Sequence, residues 1–382
     1  MKKSLLALAA VGAFAGAAQA QSSVTVYGII DMSFQGRSTT ISNLKTNSTN
    51  FNGDGSESTS RLGFRGTEDL GGGMSAFFTS EFQLYPTNAN LSGDNNGGLF
   101  NRQTFVGLKK NGIGQFAMGT QYTPIHLAVS RNDPGQQNNM LGDVIYTTNA
   151  AQGNATTTTS YTVRQNQSLT AATDRFAGFV VSGMYVNGNQ STSNGGTNNS
   201  FGYALAVNYV WNKLNVDAAW QQFKNETSVA GVLTPAALPT NPSRAAIGTT
   251  TTNGLNITDS QYYGGASYDF GILKAYAQYV NRKATSNINS NQYVKRSAQN
   301  IGVRGNITKT VEGWAMVGNG SYTAFGTGSP TANFTGWQVG SNYWLSKRTN
   351  MYAIYGATQT SSTSSAPKAS GSSYAVGVRH TF

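Results

Sequence analysis

Arg102-Gln103-Thr104-Phe105-Val106-Gly107-Leu108, a tight turn over Lys109–Gly112, then Ile113-Gly114-Gln115-Phe116-Ala117-Met118-Gly119-Thr120-Gln121-Tyr122: this stretch decides how the chain is read. Two strand-like runs joined by a short, glycine-containing turn form a hairpin. The next thirty-eight residues, Thr123–Ser160, carry no sustained periodicity, and alternation resumes in Tyr161–Ser168 with Arg164. An insert of that length in a compact domain is either functional or a sign of misassignment. The functional reading requires a β-scaffold around it.

Working outward, sixteen strand-like segments lie near 22–35, 60–69, 74–85, 102–108, 113–122, 161–170, 177–187, 200–210, 214–223, 260–268, 272–282, 293–306, 311–322, 333–345, 350–358 and 374–382. Their connections alternate between short (such as Leu70–Gly73, Trp211–Lys213 and Ser346–Thr349) and long (such as Gly36–Thr59, Thr123–Ser160 and Lys224–Asp259). An even strand number with tight turns at one end and long polar loops at the other describes a transmembrane, 16-stranded antiparallel β-barrel. Period-two alternation agrees: Phe201, Tyr203, Leu205, Val207, Tyr209 and Trp211 share one face, and Val24, Val26, Ile30, Met32 and Phe34 share another. In a bilayer such strands must close, because an open edge leaves backbone groups unpaired. Segments 177–187 and 272–282 alternate poorly. Aromatics near strand ends, including Tyr27, Phe34, Tyr122, Tyr161, Trp211, Trp337, Tyr343, Trp344 and Phe382, are expected in two interfacial girdles.

Composition narrows the setting. Lys2 and Lys3, the apolar run Leu5–Ala18 and Ala18-Gln19-Ala20 read as a signal peptide over 1–20, leaving a barrel over 21–382 that is exported to the outer membrane. There is no cysteine, so disulfides and thiol chemistry are excluded. The formal charge is +11, or about +9 without Lys2 and Lys3 (11 − 2 = 9). A basic, exported chain is expected to meet anions or anionic lipid rather than nucleic acid.

Enzyme signatures are thin. His126 and His380 lack zinc-motif spacing, and Gly53-Asp54-Gly55 lacks the further acidic ligands of a calcium loop. No cofactor or metal is expected. The charged residues sort instead by face. If Leu62 and Phe64 point to lipid, Arg61 and Arg65 point inward; if Phe105 points out, Arg102 points in; if Tyr161 and Val163 point out, so does Arg164 point in. Arg296, Arg304 and Arg379 are inward by the same parity. A constriction is expected where Arg61, Arg65, Arg102 and Arg164, with Glu81, meet Arg131, Asp133 and Asp143 on the long loop. Arginines facing a narrow lumen concentrate anions through their field.

The chain resembles the trimeric general porins of Gram-negative bacteria, in particular their betaproteobacterial branch. Carrying the resemblance are Val24-Thr-Val-Tyr-Gly28, Ser60-Arg-Leu-Gly-Phe-Arg-Gly-Thr-Glu-Asp-Leu-Gly-Gly-Gly73, Asn101-Arg-Gln-Thr-Phe-Val-Gly-Leu108, Gln121-Tyr-Thr-Pro124, Leu345-Ser-Lys-Arg-Thr349 and Val376-Gly-Val-Arg-His-Thr-Phe382. It implies a homotrimer in outer-membrane lipid and lipopolysaccharide, a third long loop folded inward, and passive diffusion of small hydrophilic solutes with a preference for anions. It also implies that Arg61, Arg102 and Arg164 are the wall arginines and that Phe382 is the signal read by the barrel-assembly machinery. Thr120 stands where many relatives have Arg. A substrate-specific channel, an outer-membrane enzyme using His126 and a surface adhesin are the rival readings. The first would need an aromatic track lining the lumen, the second turnover that histidine alkylation abolishes, and the third a barrel that does not conduct.

Overall fold

In a computed structural model, the described residues are 23–91, 98–147, 160–188, 198–227, 257–287, 290–291, 293–324, 331–362 and 367–382. The expected signal peptide lies outside them, as does most of Lys224–Asp259. They form β1 (Ser23–Ile41), β2 (Leu44–Asn52), β3 (Arg61–Gly71), β4 (Met74–Gln83), β5 (Asn101–Lys110), β6 (Gly114–Tyr122), a helix α1 (Pro124–Asn132), β7 (Arg164–Thr173), β8 (Phe179–Gly188), β9 (Asn198–Trp211), β10 (Leu214–Thr227), β11 (Ile257–Asp269), β12 (Lys274–Ser286), β13 (Tyr293–Asn306), β14 (Val311–Ala324), β15 (Thr331–Trp344), β16 (Thr349–Thr360) and β17 (Ala369–Thr381).

From β3 to β17 each strand pairs antiparallel with the next, and β17 returns to β1 from Ile29↔Thr381 to Ile41↔Ala369, so the sheet closes. Seventeen strands make sixteen staves, because β2 covers the outer half of β1 (Ser33↔Asn52 to Ile41↔Leu44) and β3 its inner half (Ser23↔Thr67 to Ile29↔Arg61). The expected first outer loop, Gly36–Thr59, is therefore mostly a hairpin turning at Ser42-Asn43. Leu44–Asn52 escaped detection because most of it is exposed, so its sequence carries no alternation. At the seam Phe382 exchanges two backbone hydrogen bonds with Gly28, both 3.1 Å. Its ring lies so close to Gly28 that a Cβ there would sit 2.3 Å from it, which requires glycine at that point of the closure.

The faces separate by parity. Met32, Phe34, Tyr203, Leu205, Trp337, Val339, Val376 and Val378 are exposed on the outside, while Asp31, Ser33, Asn208, Gln338 and Ser373 are buried on the inside. Such an apolar exterior needs a hydrocarbon solvent. Three expected girdle residues lie elsewhere: the Tyr27 hydroxyl donates to Glu81 inside the barrel, Tyr122 meets Arg102 there, and Tyr161 is fully buried.

The poor alternation of 272–282 now has a cause. Val280 and Ala284 face inward yet meet no water; they pack with Tyr263, Ala298, Tyr322 and Phe334 against Ile125, Ala128, Val129, Val144 and Ile145 of the segment between β6 and β7. That segment is folded into the barrel and covers the inner wall, so the wall beneath it is apolar. In 177–187 the inward Met184 and Val186 similarly cluster with Ala204 and Phe223.

Candidate functional site

The chain between β6 and β7 enters the lumen as a helix. Thr123 caps it, its hydroxyl accepting from the His126 amide at 3.3 Å and donating to the Thr162 carbonyl at 2.7 Å. Pro124 opens the first turn and Arg131 closes the last; a capping hydroxyl, an N-terminal proline and a C-terminal cation all favour a helix at these positions. Ile125, Ala128, Val129 and Asn132 are buried, an i, i+3, i+4, i+7 stripe that marked the helix within a stretch read as aperiodic.

Beyond the helix the wall of β10–β17 holds the segment by its backbone. Arg304 Nη1 donates to the Pro134 carbonyl at 2.8 Å, Gln338 Nε2 to the Leu141 carbonyl at 3.0 Å, and Arg296 Nη2 to the Val144 carbonyl at 2.7 Å. Ser373 Oγ accepts from the Leu141 amide at 3.1 Å. A Cβ on Gly356 would stand 1.8 Å from the Leu141 carbonyl oxygen, so glycine lets the loop backbone lie directly on the wall. A second inward turn, 53–60, supports it from the side: the Asn139 amide donates to the Ser56 carbonyl at 2.8 Å, and Asp31 accepts the Glu57 amide at 3.0 Å.

Across the lumen, β3–β7 carry a cluster of cations. Arg102 donates through Nε to Glu81 Oε1 at 2.7 Å and through Nη2 to Tyr122 at 2.7 Å. Arg61 reaches the same carboxylate at 3.7 Å and the Thr59 carbonyl at 2.8 Å. The Arg164 guanidinium lies 5.4 Å from the Tyr122 ring and 5.8 Å from that of Phe100, and Arg65 lies 5.2 Å from the Tyr27 ring. Stacking on aromatic faces holds a guanidinium without neutralising it.

The structure thus brings Arg61, Arg65, Arg102, Arg164 and Glu81 together, though not by the expected parity. Phe105 faces the lumen: it pairs with Thr79, on the face of Glu81, and its ring lies 6.3 Å from Phe77. Arg102 faces inward because the register of β4 and β5 shifts between Glu81 and Phe82; such a bulge re-aims one side chain. A second shift, between Gly119 and Gln121, does the same beside Tyr122. Tyr161 and Val163 face the loop core rather than lipid.

The loop residues are placed differently. Arg131 points to β10 and pairs with buried Asp217 at 2.6 Å. Asp133 accepts the amides of Gly135 and Gln137, and Asp143 accepts the Ile145 amide at 2.7 Å and the Asn300 side chain at 3.4 Å. Both aspartates are turned into the loop's own backbone rather than toward the arginines. Burial raises their pKa values, Asp143 to about 6 and Asp133, further raised by Asp143, well above the usual range. The loop instead shows the cluster aromatic and imidazole groups: the His126 ring lies 4.3 Å from Tyr122, 6.0 Å from Tyr146 and 6.1 Å from Tyr161. Burial, then Arg164, Arg102 and Arg61, push the His126 pKa well below 6.5, keeping it neutral. These residues were not singled out as constriction lining, although Tyr122-Thr-Pro-Ile-His126 stands at the loop's entrance.

The chain matches known proteins over nearly its whole length. The profile of the family described as Gram-negative porin matches residues 7–363. This chain belongs to the Gram-negative porin family. An outer membrane porin protein of Bordetella pertussis is 28% identical across 100% of both chains. Outer membrane porin protein 32 of Delftia acidovorans is 32% identical over 61% of this chain and 63% of its own. In fold, an anion-selective porin from Comamonas acidovorans superposes with a TM-score of 0.68 at 22% identity, over 95% of this chain and 100% of that one. The trimer form of OmpT, an outer membrane protein of Vibrio cholerae, superposes with a TM-score of 0.63 at 16% identity, over 94% of this porin and 99% of the other. The porin is a general diffusion channel of the outer membrane.

Proposed function

We propose that this porin prefers anions and that the preference arises at Arg61, Arg65, Arg102 and Arg164. The carrying observation is the arrangement on that wall: Arg61 and Arg102 share one carboxylate, Glu81, and Arg65 and Arg164 lie over aromatic rings beside them. Asp133 and Asp143, the acids on the loop itself, are occupied by loop amides. A net positive field in a narrow bore with low-dielectric walls raises the local concentration of anions. No chemical step is proposed; the loop sieves by size, and the wall biases by charge. The name of the Comamonas porin, anion-selective, supports the same reading. Three copies in one assembly are proposed on the analogy of the Vibrio trimer form, with Phe382, at the barrel seam, as the residue that assembly machinery reads. The signal peptide over 1–20 belongs to the same proposal. The test is the reversal potential of purified channels in a planar bilayer across a potassium chloride gradient. Chloride should be the more permeant ion; preference for potassium would overturn the reading.

A further inference from the structure

The inner wall of β1 and β3–β5 carries aromatic rings as well as cations, and the two alternate down the lumen. The registers place four inward rows one below another, from the long-loop end toward the short turns. Arg61 stands opposite Gln83 in the first, and Tyr27, Gly63 and Glu81 share the second. Arg65, Thr79 and Phe105 make the third, and Thr67, Phe77 and Gly107 the fourth. From Arg61 to Thr67 the rows span about 20 Å of strand.

Glycines make room for these rings. A Cβ on Gly63 would stand 2.3 Å from the Tyr27 ring, and one on Gly107 would stand 2.6 Å from that of Phe77. Each ring can therefore lie along the wall instead of standing off it. Tyr27, Phe77 and Phe105 all keep part of their surface exposed, and Arg65 beside Tyr27 is exposed as well. At the head of the same path Tyr122 and Phe100 lie beside Arg164, and Tyr146 reaches from the loop into the fields of Arg164, Arg102 and Arg61. These three rings are partly exposed too. Under the docked loop the inward rings are treated differently, since Tyr263, Tyr322 and Phe334 are buried in its core. Ring faces left in water between cations are of no use to chloride. An anion with a flat apolar body can cover them and meet the guanidinium groups at once.

We propose that this channel favours aryl carboxylates over aliphatic anions of equal charge, the carboxylate passing from Arg61 to Arg65 while the ring moves over Tyr122 and Tyr146, then Tyr27, then Phe105 and Phe77. This preference rests on the anion selectivity proposed above and adds a choice among anions to it; other small solutes still diffuse through. Chloride current through single channels in a planar bilayer is recorded at neutral pH as sodium benzoate or sodium cyclohexanecarboxylate is added. The two anions carry the same charge on rings of similar size, and only benzoate has a π-face. Benzoate should halve the current at a concentration roughly two- to tenfold lower, the range expected of one favourable ring contact. Tyr146→Leu and Phe105→Leu should each bring the two half-blocking concentrations closer together, and Tyr146→Phe, which keeps the ring, should hold them apart. Tyr262→Leu, on the lipid-facing side, should leave their ratio at the parent's value. Equal block of the parent by the two carboxylates while chloride remains the preferred ion, or an unchanged ratio in both leucine variants, would overturn the proposal. A reversal potential showing preference for potassium would instead overturn the reading of the arginines beneath it, so the two failures are told apart.

Discussion

The two sides of the lumen use the same residue for opposite purposes. On β3–β7, Arg61 and Arg102 share one carboxylate, Glu81, while Arg65 and Arg164 lie over tyrosine and phenylalanine rings, so the group keeps a net positive charge toward the pore. On β11–β17, inward arginines are occupied by structure, Arg296 and Arg304 as read from parity and Arg282 besides. Arg282 pairs with Asp259 at 2.5 Å, Arg304 with Glu312 at 2.6 Å, and Arg296 holds the Val144 carbonyl and the Ser160 hydroxyl. Facing the lumen is therefore not sufficient to make an arginine a source of field. What matters is whether a guanidinium has a carboxylate of its own, as Arg282 and Arg304 do, or shares one, as Arg61 and Arg102 do, and whether, like Arg296, it is buried beneath the loop.

Breaking the structural side should have the largest effect. Arg296 is almost fully buried, 1% exposed, and Arg296→Met removes its hydrogen bonds to the Tyr322 hydroxyl, the Ser160 hydroxyl and the Val144 carbonyl under the loop. A loss of about 2–4 kcal/mol is expected, read as a lower thermal midpoint, together with larger and noisier single-channel conductance as the loop loosens. Gly356→Ala should follow, because the added Cβ would lie 1.8 Å from the Leu141 carbonyl. The loop must lift from the wall, and conductance should change while selectivity keeps its sign.

Acidity sharpens the comparison further. Asp133 and Asp143 have pKa values raised in the folded loop relative to an unfolded chain, Asp143 to about 6. The folded state thus binds these protons more tightly. The resulting stability is complete below the unfolded value near 4 and is lost as pH rises through about 6 and beyond. The contribution is up to about 3 kcal/mol for Asp143. Loop docking, followed by conductance noise, should be firmer at pH 5 than at pH 8, and Asp143→Asn should flatten that dependence. On the arginine wall, Glu81→Gln should give the smallest change, a modest increase in chloride preference that fades near 1 M salt, where the Debye length is about 3 Å.

Much of this was legible in the sequence. The sixteen segments correspond to β1 and β3–β17, because short and long connections alternate at the two ends of any up-and-down barrel. The failures share one cause: parity arguments assume an uninterrupted pleat and a uniform solvent on each face. Bulges at Glu81/Phe82 and Gly119/Gln121 break the first assumption, so Arg102 and Phe105 share a side that parity gives to only one of them. The docked loop breaks the second, which is why Val280, Ala284, Tyr161 and Val163 are apolar without facing lipid. The fate of the aspartates had a local signal. Asp133-Pro134-Gly135 and Gly142-Asp143 are turn-forming sequences whose carboxylates bond the following amides, and they do so here.

The most direct test sets the wall against the loop in one quantity. Reversal potentials across a dilute potassium chloride gradient should be compared for the parent, Arg102→Gln with Arg164→Gln, and Asp133→Asn with Asp143→Asn. Asparagine oxygens can still accept the loop amides, so the last pair keeps the fold while removing its acids. The account predicts that the arginine pair loses most of its chloride preference and that the aspartate pair keeps the parent's. A loss of chloride preference confined to the aspartate pair, or an unchanged arginine pair, would contradict it.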